Sequence, residues 1–305
     1  MKKLLCGLII TLSAFVQAQT LDLVVPFAPG GGADVFGRAV QKYYKKIVNE
    51  DMIVSNRPGA GGVVGAQHVL KQTDGKTLLI GNAGSLVFNK ILFNNQSYDY
   101  NDFEMVGPYA VTPSVLTVSD TSITKVSQFV ELSKRKPITC GVSSPSGVIA
   151  GRALLKQLKI NGAEIIIYRG SSEIVTALLG QHIDCSIDTF SSHMPIWKDK
   201  KINIIAVGSE SAHPDLPGVP VFQDIVPGLV FNLWYGIAIP KTVDPGMRRA
   251  VLSKFNNLPR DSEFRQTMDA LGLEAVAGNK NPNQWLDQQY QKFEQLRIEA
   301  GVDKQ

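Results

Sequence analysis

PFAPGGGAD (residues 26–34) and NRPGAGGVVGA (residues 56–66) decide how this chain is read. The apolar run 21–27 leads into the first, stops at proline and a glycine triplet, and is followed by a helical pattern over 34–48. A short apolar run ended by such punctuation reads as a buried strand. Residues 52–55 are strand-like and lead through the second loop to a helix near 63–71. Residues 77–80 form a third strand, and 81–85 open a further helix-like segment. Strand, glycine loop, helix, three times over, predicts right-handed βαβ units on a parallel sheet.

Outward from these loops, residues 103–118 are β-branched and poor in helix signals, and read as two extended segments leading elsewhere. A second alternating series follows, with helices over 126–134, 147–158 and 171–179 and strands over 138–142, 164–168, 184–187 and 202–207. Beyond an extended segment at 233–239 come helices near 245–256, 261–271 and 282–300. Trp285, Tyr290, Phe293 and Leu296 share one stripe of the last helix, a core-packing pattern directed toward the first half. The chain therefore carries two α/β series, without a fixed-period repeat or a low-complexity linker.

Composition narrows the class. The first eighteen residues, MKKLLCGLIITLSAFVQA, have the layout of a cleavable secretory signal: Lys2 and Lys3, an apolar run, then Val16 and Ala18 before the cut. Its removal leaves 287 of the 305 residues and lowers the net charge from +4 to +2. Near neutrality, with no basic run, the mature chain is a poor nucleic-acid or polybasic membrane binder. With 44% hydrophobic and 19% charged residues it is globular, long enough for about two domains. After Cys6 leaves with the signal, Cys140 and Cys185 remain, as a disulfide or as two buried thiols. They follow the starts of strands that would be neighbours if the second series is wound in flavodoxin-like order. His68, His182, His193 and His213 have no metal-ligand spacing, so no metal is expected.

Each glycine loop lies between a strand and a helix, where backbone approaches a ligand closely and the helix start offers N–H groups to an anion. The phosphate motifs fail. Arg38 and Ala39 replace the Lys-Ser/Thr of a P-loop, and Val64 occupies the third glycine site of GxGxxG, so no nucleotide cofactor is expected. The second series supplies similar junctions in SSPSG (143–147), RGSS (169–172) and DTFS (188–191). Ligands of open α/β sheets bind beyond the carboxyl ends of strands. Two such sheets facing each other make a cleft suited to a small carboxylate, while some of these serines simply cap helices. Asp188 either receives an amino or hydroxyl group of a ligand or caps the next helix. The chain has no GxSxG elbow and no paired-carboxylate signature, so no catalytic residue is assigned.

PFAPGGGAD, NRPGAGGVVGA, TLLIGNAGSL (77–86), YDYNDF (98–103), YRGSS (168–172) and HPDLPGVPVFQD (213–224) occur in an order that closely resembles the Bug-type solute-binding proteins. These are periplasmic receptors of tripartite tricarboxylate transporters, and the resemblance runs from Leu21 to about Asp303. It implies an α/β, two-domain Venus-flytrap fold of two open, mostly parallel sheets with a cleft between them. The implied division is 19–119 plus 240–305 for domain 1 and 120–239 for domain 2. It also implies a small organic carboxylate ligand, membrane permease partners, a periplasmic location and a monomer. Carried over residue by residue, the ligand set is Phe27, Ala28, Pro29, Gly30 and Asp34, then Ala60, Gly61 and Gly62, then Asn82 and Ser85. The second domain adds Ser143, Ser144, Ser146, Arg169, Ser171 and Asp188. The chain departs from the family where CGVSSPSG is shorter by about two residues, where Arg169 replaces a commoner lysine, and where Thr189 replaces a commoner asparagine. Alternative roles are a ligand-sensing receptor for a membrane kinase or a secreted enzyme acting on a carboxylate.

Overall fold

The apolar run LDLVV forms β1 (Leu21–Val25), buried except at Asp22, whose carboxylate accepts the Ser55 hydroxyl at 2.7 Å. The computed structural model describes residues 20–95 and 98–304, so the signal expected over 1–18 lies outside the described residues. From β1 the chain runs through α1 (Gly32–Tyr43), β2 (Met52–Asn56), α2 (Val63–Leu70), β3 (Thr77–Asn82), the short α3 (Asn89–Leu92) and β4 (Phe103–Val118). The second series is α4 (Val126–Ser133), β5 (Thr139–Val142), α5 (Pro145–Gln157), β6 (Glu164–Ile167), α6 (Ser171–Leu179), β7 (Cys185–Thr189), α7 (Phe190–Lys198) and β8 (Asn203–Val207). The return comprises α8 (Phe222–Ile225), β9 (Asn232–Pro240), α9 (Pro245–Ser253), α10 (Ser262–Ala270), β10 (Glu274–Ala275) and α11 (Pro282–Glu299).

Both halves repeat one winding. β1 lies between β2 and β3, and β5 between β6 and β7, all parallel, as right-handed βαβ units demand. Antiparallel strands complete each sheet, which makes both mixed. β9 pairs with β3 and with the first part of β4, and β10 adds to β4. The last part of β4, Ser114–Val118, pairs instead with β7 and β8. β4 is thus one sixteen-residue strand that belongs to both sheets, where the sequence suggested two segments. Its register shifts between Val106 and Ala110, beside Gly107 and Pro108.

The division drawn from the sequence meets two differences here. Residues 114–118 are hydrogen-bonded into the second sheet, and β9, placed by sequence in the second domain, is hydrogen-bonded into the first. Nothing in a hydrophobic run names its strand partner, so the sequence could not choose a sheet for β9. Helix α7 follows the DTFS junction as a helix start there implies, and it carries Pro195 within it.

One apolar cluster runs from the first sheet (Val24, Leu79, Phe88) to the second (Val142, Ile149, Leu154). Helix α11 covers it. Phe293, 2% exposed, meets Phe88 at 4.5 Å and Phe231 at 5.6 Å between ring centroids, while Trp285 packs edge-on to Trp234. The Lys156 ammonium on α5 donates to the Glu299 carbonyl at 3.3 Å, so α11 touches both halves. In the second sheet, Cys140 and Cys185 are register partners with Cα atoms 4.5 Å apart, and they form a disulfide.

Candidate functional site

The carboxyl ends of β1, β3, β5 and β7 face one another across a seam between the halves. Phe27, Gly31, Gly32, Ala33, Asn82 and Gly84 line it on one side and Ser143, Ser144, Gly170, Ser171 and Thr189 on the other, with Leu233 and Tyr235 of β9 at its base. The halves meet closely: the Ala28 N–H donates to the Arg169 carbonyl at 3.4 Å, and the Gly32 N–H to the Ser192 hydroxyl at 3.1 Å. The free volume between them is about 20 Å³, room for about one water. An acid of several carbons enters only when the halves separate.

Helices α1, α5, α6 and α7 all begin at this seam. Ser144 caps α5 in the ordinary way, its Oγ accepting the Gly147 N–H at 3.4 Å with Pro145 at the first helical position. The caps of α1, α6 and α7 are Gly31, Gly170 and Thr189, and none makes a side-chain cap bond. Three first turns therefore bring positive dipole ends to one gap, with the Gly32 N–H of α1 taken by Ser192 across the seam and the Ser191 N–H of α7 donating to Thr112 Oγ1 at 3.3 Å. Such a gap suits an anion although it holds no lysine or arginine among its lining residues.

Asp34 builds the first loop rather than lining the seam. Its Oδ2 accepts the Gly30 N–H and Arg38 Nε, each at 2.9 Å, and its Oδ1 accepts Arg38 at 3.1 Å and Asn56 at 2.9 Å. Asn56 also donates to the Phe27 carbonyl at 3.1 Å, which ties the two glycine loops together. Burial works to raise the Asp34 carboxyl, but the hydrogen bonds from Arg38, Gly30 and Asn56 and the guanidinium charge outweigh it and hold it below the usual carboxylate value. The Asn82 carboxamide accepts the Ser85 N–H at 2.8 Å and fixes the turn after β3.

In the second half, Ser143 Oγ donates to Asp188 Oδ1 at 2.8 Å, while Asp188 Oδ2 is buried without a hydrogen-bond partner among the described residues. The Ser144 and Ser146 hydroxyls are 2.5 Å apart. Thr189 Oγ1 donates to Ser192 Oγ at 2.8 Å, which continues to Gly32 across the seam. The His193 ring is fully buried. Its Nδ1 must donate to the Thr189 carbonyl at 2.9 Å, which leaves Nε2 to accept the Ser186 hydroxyl at 3.0 Å. Burial holds the imidazole below its ordinary value, against the opposing pull of Asp188 and the Thr189 carbonyl, so it is neutral and structural. Burial, with the Asp188 charge added, pushes the Tyr235 hydroxyl up.

Of the sixteen residues taken from the sequence, Phe27, Asn82, Ser143, Ser144 and Ser171 line the seam. Ala28 and Arg169 hold its edge, and Pro29 and Gly30 are exposed beside it, with Gly30 facing Ser172. Ser146 and Asp188 lie just behind the serine loop, and Ser85 behind Asn82. Gly62 packs behind Phe27 and against Ser85, and Ala60 is exposed, so the second glycine loop supports the first. Sequence reasoning missed Gly31, Gly32, Ala33, Gly84, Gly170, Thr189, Leu233 and Tyr235. The glycine triplet and the RGSS and DTFS junctions already pointed to four of these. A larger hollow of about 500 Å³ lies by the strand crossing, but Glu210, Asp215, Asp269 and Glu274 line it, the wrong sign for an anion.

The family model described as tripartite tricarboxylate transporter family receptor matches residues 36–301. The chain is 27% identical over 300 residues to the UPF0065 protein in the tcbD-tcbE intergenic region of Pseudomonas sp., across 91% of this chain and 87% of that protein. Its fold matches that of R. palustris Rpa4515 with adipate at a TM-score of 0.88 and 21% identity, covering 95% of this chain and 100% of that one. It matches the periplasmic binding protein BugD at a TM-score of 0.85 and 25% identity, covering 94% and 99%.

Proposed function

The chain belongs to the tripartite tricarboxylate transporter receptor family, and we propose that it captures a small organic carboxylate in the seam between its halves for delivery to membrane transporter subunits. The observation that carries this reading is the convergence on one glycine-lined gap of three helix starts whose own cap residues make no side-chain cap bond. An anion at a helix start gains about 0.3–1 kcal/mol at exposed sites, and more when partly buried. Three such ends and close backbone approach make an anion site whose charge comes from peptide dipoles. The adipate held by Rpa4515, a protein of the same fold, supports a carboxylate as the ligand.

In this reading one carboxylate sits on the backbone of Gly31–Ala33, with Asn82 and Gly84 beside it and Phe27 behind. Ser143, Ser144, Ser171 and Thr189 close over it from the other half. Asp34 positions the first loop, and Arg169 stands at the rim. In this reading residues 20–95, 98–113 and 232–304 form one domain and 114–231 the other, a division supported by the pairing of β9 with β3 and of the last part of β4 with β7. Closure excludes water, strengthens the polar contacts and makes affinity depend on both halves. The signal over residues 1–18 sends the chain to the periplasm, where it works as a monomer.

A thermal-shift screen of mono-, di-, tri- and aromatic carboxylates tests this. A ligand at a hundred times its Kd stabilises the folded form by about 2.7 kcal/mol, so a few related acids should raise the Tm in a concentration-dependent way. No shift with any class of carboxylate sinks the proposal.

A further inference from the structure

We infer that the ligand carries a hydrogen-bond donor, a hydroxyl or ammonium group, in addition to its carboxylate, and that Asp188 receives it. This inference rests on the carboxylate reading above. Asp188 ends β7 and is 3% exposed. Its Oδ1 is committed to the Ser143 hydroxyl at 2.8 Å, but Oδ2 is buried without a partner among the described residues. Ser143, bonded to it, and Thr189, next to it, both line the seam, and the Asp188 charge acts on the hydroxyl of Tyr235 at its base. Ser191, three residues on, has a buried hydroxyl that likewise finds no partner among the described residues. Gly32, which lines the seam, lies against Ser191: a Cβ there would stand 2.8 Å from its Oγ.

A carboxylate only accepts hydrogen bonds, and a buried oxygen left idle carries a desolvation penalty that a donor removes. The neighbouring imidazole does not serve. His193 spends both ring nitrogens on Thr189 and Ser186. The arrangement also discriminates against a bare dicarboxylate, which would bring a second anion toward Asp188 and leave its oxygen unpaired. A ligand with a hydroxyl or ammonium substituent turns the same oxygen into a contact. The dipole-lined loops of the first half then hold the carboxylate end, and Asp188 reads the substituent.

Isothermal titration with matched acids tests this: succinate against malate and aspartate, glutarate against 2-hydroxyglutarate and glutamate, adipate against 2-aminoadipate. At the chain length that binds, the substituted acid should bind at least about tenfold more tightly, as expected for a hydrogen bond to a charged group. Asp188→Asn keeps the side-chain shape and the Ser143 contact but replaces the anion with a neutral amide. The preference for an ammonium substituent should then fall to within about threefold, and a hydroxyl, which can also accept from the amide, should lose less. Equal or tighter wild-type binding of the unsubstituted acids overturns the inference while leaving the carboxylate reading intact. So does a full preference retained by Asp188→Asn. Failure of every acid to bind overturns the carboxylate reading and this inference with it. Should the variant not fold, the wild-type comparison alone decides.

Discussion

Gly170→Ala separates closure of the seam from folding. Gly170 caps α6 with extended backbone that alanine adopts freely. The added Cβ would stand 2.9 Å from the Ala28 Cβ and 3.1 Å from the Ala28 nitrogen, and Ala28 belongs to the opposite half. Carbon atoms in good contact stay about 3.5–4.0 Å apart, so the seam must widen by roughly 0.6–1 Å. Ala28 is short and cannot turn away. Widening stretches the Ala28 N–H···O=C Arg169 bond from its present 3.4 Å beyond useful length. Overpacking of this kind costs about 1–3 kcal/mol, and here the closed form alone bears it. The affinity for the best acid from the screen should therefore fall about 5- to 150-fold, while the Tm without ligand moves little. Titration calorimetry measures the first quantity and a melting curve the second, with small-angle scattering reporting compaction on adding ligand. Wild-type affinity in the variant would refute the reasoning. So would an equal loss of stability without ligand, which would place the clash inside the fold rather than between the halves.

Three further outcomes follow from the same contacts. Asp34→Asn should cost roughly 1–3 kcal/mol near neutral pH, because the amide cannot accept all the bonds from Gly30, Arg38 and Asn56. Since folding lowers the Asp34 carboxyl, its stabilisation is fully present above the unfolded value near 3.8 and is lost as pH falls through the folded value. The Tm gap between wild type and variant should therefore shrink below about pH 4. Phe293→Ala removes a ring set against Phe88 and Phe231, and should lower stability by about 3–5 kcal/mol in denaturant titration. Thiol titration of the unfolded, unreduced mature protein should find no free thiol, and reduction should cost up to about 4 kcal/mol for a 45-residue separation.

The sequence displays the winding and hides the partners of the crossing strands. Residues 21–27 are apolar but for Asp22 and stop at proline and glycine, and 77–80 run into Gly81 and Asn82, so their strand identity is local. Each parallel triplet follows from that alternation. The fate of β4 and β9 does not, because register between distant strands is set by tertiary packing that LWYGIAI does not encode. The site divides in the same way. Side-chain candidates such as Ser143 and Asn82 lie where the junctions put them. Much of the seam is backbone of Gly31, Gly32, Gly84 and Gly170, and a lining made by peptide groups leaves no residue type to recognise. Asp34, named as a ligand contact only through the family resemblance, turns inward because Arg38, one helical turn on, and Asn56 are nearer partners.

The sixteen-residue strand β4 has a mechanical consequence. A link made of loop would let each half swing, melt and refold on its own account. Here one continuous backbone is laced by hydrogen bonds into both sheets, to β9 over its first part and to β7 and β8 over its last. Opening the seam therefore twists a strand instead of loosening a tether, and a twisted strand pulls back. Loss of either sheet strips pairing from the shared strand, so the two halves should melt as one cooperative unit. Damage far from the seam in one half is then felt as weakened grip in the other.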